Sequence, residues 1–139
     1  MTQPVLIEQT VSAEDFIHLR EITGLSPRPV DAVSRGLAAS LYAVCIDDNG
    51  KTVGMGRIIG DGALNFDIVD VAVDPAYQGQ GLGRLIMNAL MAWLQSNAPR
   101  DSYITLMGDV PALYEKYGFR LTRPRSEGMY YDWSASGDC

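Results

Sequence analysis

The strongest chemical signal in the sequence is a run of three glycines at alternate positions just before a helical pattern. The segment comprises Gln78, Gly79, Gln80, Gly81, Leu82, Gly83 and Arg84. From Leu82 onward, apolar residues recur at the i, i+3, i+4, i+7 spacing of a helix with one buried face. No Ser, Thr, Asp or Asn stands near Gly81 to cap that helix, so its first backbone N–H groups lack a side-chain acceptor. Free amides, a positive helix dipole and glycines that let a ligand approach the backbone predict an anion site, most naturally for a phosphate.

The glycine spacing narrows the kind of phosphate ligand. A dinucleotide-binding turn needs Gly-x-Gly-x-x-Gly, which would place its third glycine at position 84, where this chain has Arg84. A loop that binds nucleoside triphosphates needs Gly-Lys-Ser or Gly-Lys-Thr at its end, and the segment contains neither. The remaining interpretations are another phosphate ligand or a strand-to-helix turn that binds nothing.

Two motifs together resemble the GNAT superfamily of N-acetyltransferases. The first is a strand that ends in Val71-Ala72-Val73-Asp74-Pro75 and is followed by the family's Gln-x-x-Gly-x-Gly pattern. The second is Leu113-Tyr114-Glu115-Lys116-Tyr117-Gly118-Phe119, which is similar to the family's Tyr-Glu-Lys-x-Gly-Phe segment. The resemblance implies acetyl-CoA as cosubstrate, no metal, and a diphosphate held by residues 78–84.

The resemblance assigns Tyr114 the role of a general acid and a cofactor contact. In many members the tyrosine at this place protonates the departing thiolate of coenzyme A. The chemistry is reasonable, because a phenol with a pKa of about 10 is a usable donor to a thiolate whose conjugate acid has a pKa of about 8.5. The alternative is that Tyr114 packs in the core as part of a helical apolar stripe. Met107 departs from the family, whose members often carry a cofactor-contacting Asn there.

The strand before the glycines supplies the second part of the cofactor site implied by the resemblance. The backbone of Val71, Ala72 and Val73 is expected to pair with the two amides of pantetheine as if they were a further strand. The Val71 N–H is the expected donor to the thioester oxygen, where it would stabilise the tetrahedral oxyanion. Ordinary strand packing of these side chains is the alternative, and both interpretations can hold because the cofactor contacts use the backbone.

A general base is needed because an alkylamine is mostly protonated at neutral pH and its cation cannot attack. The candidates are Asp70, Asp67 and Asp109, directly or through a water, and the resemblance favours Asp70 on the fourth strand. For any one of them, a surface or turn carboxylate is the competing interpretation. His18 is expected to be exposed, and Cys45 is expected to be a small buried strand residue without an activator.

Periodicity, turns and caps predict the elements that position these residues. Strands are expected at 5–9, 41–46, 51–59, 63–73 and 102–107, and helices after Ser12, at 30–37, at 82–97 and after Asp109. Asn49-Gly50 marks a hairpin turn, and Gly54 and Gly56 predict a bulge or a close backbone approach. Residues 119–121 and 129–133 are predicted to close the sheet as an antiparallel pair.

The predicted fold class is α/β (α+β), with the GNAT arrangement covering nearly the whole chain. A mixed, mostly antiparallel sheet of six to seven strands is expected to carry about four helices on its faces. The helix at 82–97 must cross over the sheet, which predicts parallel pairing of the fourth and fifth strands. One GNAT domain is predicted over residues 1–139, since a chain of 139 residues can bury a core without disulfides or metals.

Composition and charge exclude some function classes. A net charge of −6 argues against nucleic-acid binding, which needs a basic face. Neither Cys45 nor Cys139 lies in a CxxC pair, so no metal or redox site is predicted. The sequence shows no signal peptide and no apolar stretch long enough for a bilayer, so a cytoplasmic protein without membrane contact is the expectation.

The expected function is acetyl-CoA-dependent N-acetyl transfer to the primary amine of a small molecule. The acceptor is an arylalkylamine, a polyamine, an amino sugar or an amino acid, and it attacks directly in a ternary complex. One alternative is a protein or peptide N-acetyltransferase, and another is a non-catalytic acyl-CoA-binding regulatory domain. The sequence leaves open whether the chain forms a homodimer.

Overall fold

The computed structural model describes residues 3–134 of the chain. Cys139 therefore lies outside the described residues. The chain divides into two compact units, Met1–Leu106 and Met107–Cys139, and each is described by itself. That residues 1–139 form one GNAT domain stays a prediction.

The N-terminal unit contains five strands and three α-helices. In chain order they are β1 (Val5–Ile7), α1 (Ala13–Ile22), α2 (Val30–Ala38), β2 (Tyr42–Asp48), β3 (Lys51–Gly60), β4 (Asn65–Val73), a 3-10 turn (Pro75–Tyr77), α3 (Leu82–Asn97) and β5 (Tyr103–Leu106). Within its described residues, 107–134, the C-terminal unit contains one short helix, α4 (Ala112–Glu115).

Local sequence signals explain where several elements begin and end. Ser12 caps α1, and its Oγ accepts a hydrogen bond from the Asp15 N–H at 3.1 Å. Asn49 and Gly50 both have positive φ, 51° and 89°, as the tight hairpin between β2 and β3 requires. The predicted bounds of α3 are confirmed.

The sheet has the strand order β1-β2-β3-β4-β5. The first three pairings are antiparallel, and β4 pairs with β5 in parallel. The mixed sheet and the predicted parallel pairing are confirmed, because α3 provides the crossover that a parallel connection needs.

The predicted strand count of six to seven is wrong for residues 3–134, where the sheet contains five strands. Neither residues 119–121 nor residues 129–133 form a strand. Their apolar side chains suggested strands, but Leu121 is 60% exposed and Met129 is 90% exposed. Aromatic and branched residues favour strands only where a sheet gives them a face to pack on, so residue type alone did not determine the structure here.

The two faces of the sheet carry different parts of the core. One face presents the cross-strand row Cys45, Met55 and Ala72, which packs with residues of α1 and α2. The other face lies against α3, where two glycines of β3 replace side chains. A Cβ at Gly54 would lie 2.9 Å from Ile46 Cγ1, and a Cβ at Gly56 would lie 2.6 Å from Ile86 Cγ2. The predicted close approach is therefore confirmed, and it brings α3 near the backbone of β3.

A β-bulge interrupts β4 opposite Gly56. Met55 pairs with Ala72, but Arg57 pairs with Val69, so two residues of β4, Asp70 and Val71, oppose one residue of β3. Asp70 has a φ of +59°, in the left-handed region. An extra residue of this kind bends the strand and increases its twist.

The bulge lies where β4 and β5 part. β5 pairs only with the first four residues of β4, from Asn65 to Ile68. Along residues 69–73 the same edge of β4 has no strand partner within the part of the chain that the structure describes. An open strand edge presents unpaired backbone donors and acceptors.

The C-terminal unit departs from one local prediction. Helix α4 begins at Ala112, with Pro111 as its cap residue and no side-chain cap. The prediction that Asp109 caps this helix is therefore wrong, since Pro at the start provides a preset φ and leaves no N–H to be satisfied. Gly118 adopts a φ of +98° just beyond the helix. No helix among the described residues is long and apolar enough to cross a membrane.

Candidate functional site

The segment between β4 and α3 begins with a buried aspartate that fixes its direction. Asp74 N–H donates to the Val53 carbonyl at 2.8 Å, and Asp74 Oδ1 accepts from the Ala76 N–H at 2.9 Å. The Asp-Pro pair thus ends the strand and starts the 3-10 turn that leads to the glycines. The path of the chain after β4 is therefore anchored to β3.

The β2–β3 hairpin supports the same segment from the side. Tyr77 Oη donates to Asp48 Oδ2 at 2.6 Å, and this bond raises the pKa of the Tyr77 phenol. Lys51 Nζ lies 3.7 Å from Asp74 Oδ2 and over the Tyr77 ring. These contacts hold the approach to the glycine turn with side chains, while the turn itself is built from backbone.

The glycine turn leaves the start of α3 open. Gly79 and Gly81 both have a φ of 81°, and Gly81 is the cap residue of α3 without any side-chain cap. A Cβ built at Gly79, Gly81 or Gly83 would meet nothing within 4 Å. The predicted uncapped entrance is confirmed. Its first N–H groups and the open space above them suit a diphosphate.

The side chains around the turn are arranged to leave its amides accessible. Leu82 is buried, so only its backbone is available there, and Arg84 is exposed. Gln78 Nε2 donates to the Val73 carbonyl at 3.1 Å and so ties the turn to the end of β4. Gln80 is exposed. That these residues bind a cofactor stays a prediction.

The open edge of β4 leads directly to this turn. It consists of Val71, Ala72 and Val73, and the Ala72 side chain is buried in the cluster under α1 and α2. Contacts along this edge would therefore be made by the backbone. An extended ligand with amide groups can pair with such an edge.

A buried carboxylate lies at the bulge. Asp70 Oδ1 is 2.5 Å from Arg20 Nη1, and Asp70 Oδ2 is 2.6 Å from Arg57 Nε. The Asp70 and Arg20 side chains are each 6% exposed, and Arg57 is 16% exposed. The base role of Asp70 stays a prediction, but both of its oxygens already accept hydrogen bonds from guanidinium groups, so neither is left unpaired to meet an amine.

The sequence reasoning missed Arg20 and Arg57 as partners of this carboxylate. Arg20 follows Phe16 by one helical turn, so it stands on the buried face of α1. A cation on an apolar helix face requires a buried partner, and that signal was present in the sequence.

Asp67 differs from Asp70 in its surroundings. It is half-buried and its Oδ1 accepts a hydrogen bond from Thr105 Oγ1 at 3.2 Å. Burial raises the pKa of the Asp67 carboxyl, and the charge of Asp70 adds to the rise. A raised carboxyl pKa suits a general base. Asp109, the third candidate, is exposed in the C-terminal unit.

Tyr114 lies in α4 of the C-terminal unit and is half-buried. Burial raises the pKa of its phenol, and the neighbouring Asp109 and Tyr117 raise it further. The phenol is therefore protonated throughout the neutral range, as a proton donor must be. Met107, which stands at the place of the family's asparagine, is 76% exposed.

The remaining candidates are structural. Cys45 is buried in the cluster under α1 and α2, and burial raises the pKa of its thiol. The prediction that it is a buried strand residue is confirmed, and so is the exposure of His18. No group of three or more potential metal ligands occurs within residues 3–134.

Comparison with known proteins places the motifs in one family. A model described as an acetyltransferase (GNAT) domain matches residues 38–121, more than half of the chain. The solved structure of a probable acetyltransferase from meticillin-resistant Staphylococcus aureus is 39% identical, with a TM-score of 0.88 over 94% of this chain and 100% of that one. The match includes β4, the glycine turn and Tyr114.

Two curated relatives carry more specific names. Histone acetyltransferase TAP1 of Glycine max is 38% identical over 135 residues, covering 87% of this chain and 57% of the relative. Serotonin N-acetyltransferase 2, chloroplastic, of Oryza sativa subsp. japonica is 33% identical over 82 residues, covering 59% of this chain and 41% of the relative. The chain thus spans about half the length of these two relatives.

Proposed function

Because the chain belongs to the GNAT family of acetyltransferases, we propose that it transfers the acetyl group of acetyl-CoA to a primary amine. The acceptor attacks directly in a ternary complex, without an acyl-enzyme. The observation that carries the proposal is the continuity of an open strand edge at Val71–Val73 with the uncapped start of α3 at Gly81. Both features present backbone donors, and both match a part of coenzyme A.

The cofactor is held chiefly by backbone groups. The N–H groups of residues 79–84 bind the diphosphate at the positive end of α3. The edge of β4 pairs with the amides of pantetheine, and the Val71 N–H donates to the thioester oxygen. A donor fixed at that place stabilises the charge that develops on the oxygen during attack.

Two side chains move protons in the proposed mechanism. Tyr114 protonates the departing thiolate, since its raised pKa keeps the phenol neutral until the thiolate forms. Asp67 accepts the proton of the amine, directly or through a water, because burial raises its pKa. Asp70 is the runner-up for this role on the resemblance alone.

The acceptor class is proposed in two forms. The rice relative is named for serotonin, an arylalkylamine, which supports a small aromatic amine. The soybean relative is named for histones, which supports a lysine side chain of a protein. A small amine remains our first choice, and the cytoplasmic location and the homodimer stay predictions.

A thiol-release assay with acetyl-CoA tests the proposal. The panel contains serotonin, spermidine, glucosamine, an amino acid and a histone-tail peptide, and calorimetry measures acetyl-CoA binding separately. Release with one acceptor class supports the proposal and identifies the acceptor. Tight binding without release for every acceptor would instead indicate a non-catalytic acyl-CoA-binding domain, and absence of binding would refute the proposal.

A further inference from the structure

Asp70 joins four segments of the N-terminal unit through two arginines. Arg20, on α1, donates to Asp70 and also to the Ser26 carbonyl through Nε at 2.8 Å. Arg57, on β3, donates to Asp70 and also to Ser40 Oγ through Nη1 at 3.2 Å. A third bond of Arg57 reaches the Gly36 carbonyl at the end of α2. One carboxylate thus connects α1, the α1–α2 connection, the end of α2 and β3.

The backbone of Asp70 adopts a conformation that most residues disfavour. Its φ of +59° lies in the left-handed region, which side chains disfavour, although Asp and Asn tolerate it better than most. The residue belongs to the bulge opposite Gly56, and Val71 follows it directly. The conformation of Asp70 therefore decides how the Val71 peptide is presented.

Burial makes the side chain of Asp70 a rigid anchor. A buried carboxylate is costly unless it is paired, and both of its oxygens are paired with guanidinium groups. The charged groups that face it are Arg20 from α1, Arg57 from β3, and Asp67 on its own strand. Since both arginines are tied to other segments, the carboxylate cannot move without breaking several bonds at once.

We propose that Asp70, clamped by Arg20 and Arg57, is a positioning residue that fixes the β4 bulge and thereby directs the Val71 N–H along the open strand edge. The proposal rests on the proposed function, in which that N–H binds the thioester oxygen. It assigns to Asp70 a role other than that of the base.

The main test compares Asp70→Asn with Asp101→Asn. Asn tolerates the left-handed region, so the first variant keeps the backbone preference and removes the ion pairs. Asp101 is an exposed aspartate with a φ of +72°, which makes it a matched control. We expect Asp70→Asn to lower kcat by about tenfold to a hundredfold, because a misplaced donor loses transition-state stabilisation. Calorimetric affinity for acetyl-CoA should fall by less than kcat, since residues 79–84, which would bind the diphosphate, are untouched, and Asp101→Asn should leave both unchanged.

A second measurement separates positioning from base catalysis. If Asp67 is the base, the acidic limb of the kcat–pH profile persists in Asp70→Asn and moves to lower pH, because the Asp70 charge no longer raises the Asp67 pKa. Disappearance of that limb would make Asp70 the base and overturn the proposal. Unchanged kcat in Asp70→Asn would overturn it as well.

Two further variants and a spectroscopic readout complete the test. Asp70→Gly frees the backbone but removes the anchor, so retained activity there would show that the bulge needs no clamp. Arg57→Lys keeps a positive charge beside Asp70 but loses the hydrogen bonds to Gly36 and Ser40, so we expect a smaller fall in kcat than in Asp70→Asn. This variant replaces Asp70→Asn as the test if Asp70→Asn does not fold. The Val71 amide resonance should shift in Arg57→Lys, in which residues 70 and 71 are both unchanged, and stay in Asp101→Asn. This readout decides the positioning even if the wild type transfers no acetyl group, which would refute only the proposed function.

Discussion

Two pairs of glycines in the N-terminal unit illustrate opposite uses of the same residue. Gly79 and Gly81 have positive φ, and a Cβ at either would enter open space. Gly54 and Gly56 lie in β3, and a Cβ at either would collide with a side chain of the core. Gly79 and Gly81 let the backbone turn and leave open space beside it, whereas the absence of side chains at Gly54 and Gly56 lets α3 pack closely on β3.

The difference shows how the fold divides its tasks. At the turn, backbone N–H groups are left without side-chain acceptors, which is tolerable only where water or a ligand meets them. Beneath the sheet, the missing side chains let Ile86 and Leu90 of α3 approach β3 closely, and the helix is thereby packed against the sheet. The open glycines can serve as a binding surface because the buried glycines fix the helix that presents it.

The largest expected effect is on the chemical step, which is assigned to Tyr114 rather than to the glycine turn that binds the cofactor. We expect Tyr114→Phe to lower kcat by about a hundredfold or more, the loss typical of a missing general acid, while the affinity for acetyl-CoA is unchanged. Tyr130→Phe is the matched control, since it removes an exposed phenol from the same unit. Thiol release and calorimetry measure the two quantities. Equal losses in both variants would show that the phenol of Tyr114 has no special role.

The next effect concerns the packed pair. Gly56→Ala would place a methyl group 2.6 Å from Ile86 Cγ2, so α3 must shift. We expect a loss of about 1–3 kcal/mol in the free energy of unfolding, measured in urea. Gly36→Ala is the control, because a Cβ there meets nothing within 4 Å in α2, and it should raise stability by about 0.5–1 kcal/mol. A Gly56→Ala variant as stable as the wild type would remove the distinction between the two pairs.

The glycines of the open turn are tested through their backbone conformation, because an added side chain there would meet no steric clash. Gly81→Ala forces a side chain into the left-handed region at a cost of about 1 kcal/mol. If the bound turn needs this conformation, acetyl-CoA affinity should fall by about fivefold. Gly83→Ala, inside the first turn of α3 and also facing open space, should keep its affinity. A similar loss in both variants would mean that the added methyl groups obstruct the ligand, whatever their backbone conformation.

The sequence predicted the backbone features of the site well, because they depend on residues close together in the chain. The glycine turn, the missing cap at Gly81 and the extent of α3 all follow from local spacing. The parallel pairing of β4 and β5 follows from the crossover helix. Each of these features can be derived without knowing which distant residues meet.

The features that the sequence did not predict depend on contacts between residues that are far apart in the chain. The partners of Asp70 stand at positions 20 and 57, and no local pattern joins them. The bulge at Asp70 and Val71 arises from a register between β3 and β4 that alternation alone does not specify. The predicted strands at 119–121 and 129–133 failed for the converse reason, since aromatic and branched residues suggest a strand locally, but a strand also needs a partner strand from elsewhere in the chain.

The smallest expected effect concerns a turn that differs from the glycine turn in that a side-chain carboxylate binds three of its backbone N–H groups. Asp61 Oδ1 accepts bonds from the N–H groups of Ala63, Leu64 and Asn65 at 2.9, 2.8 and 3.0 Å. These backbone bonds, that from Asn65 foremost, lower the Asp61 pKa from 3.8 to about 2. A lowered pKa means that the ionised carboxylate stabilises the folded state above pH 3.8 and that this contribution is lost as the pH falls toward 2. We expect Asp61→Asn to flatten the dependence of unfolding free energy on pH in that window, as measured by urea unfolding at a series of pH values. An unchanged slope in Asp61→Asn would show that these amides need no carboxylate, and the contrast with the uncapped turn at Gly81 would then lose its electrostatic basis.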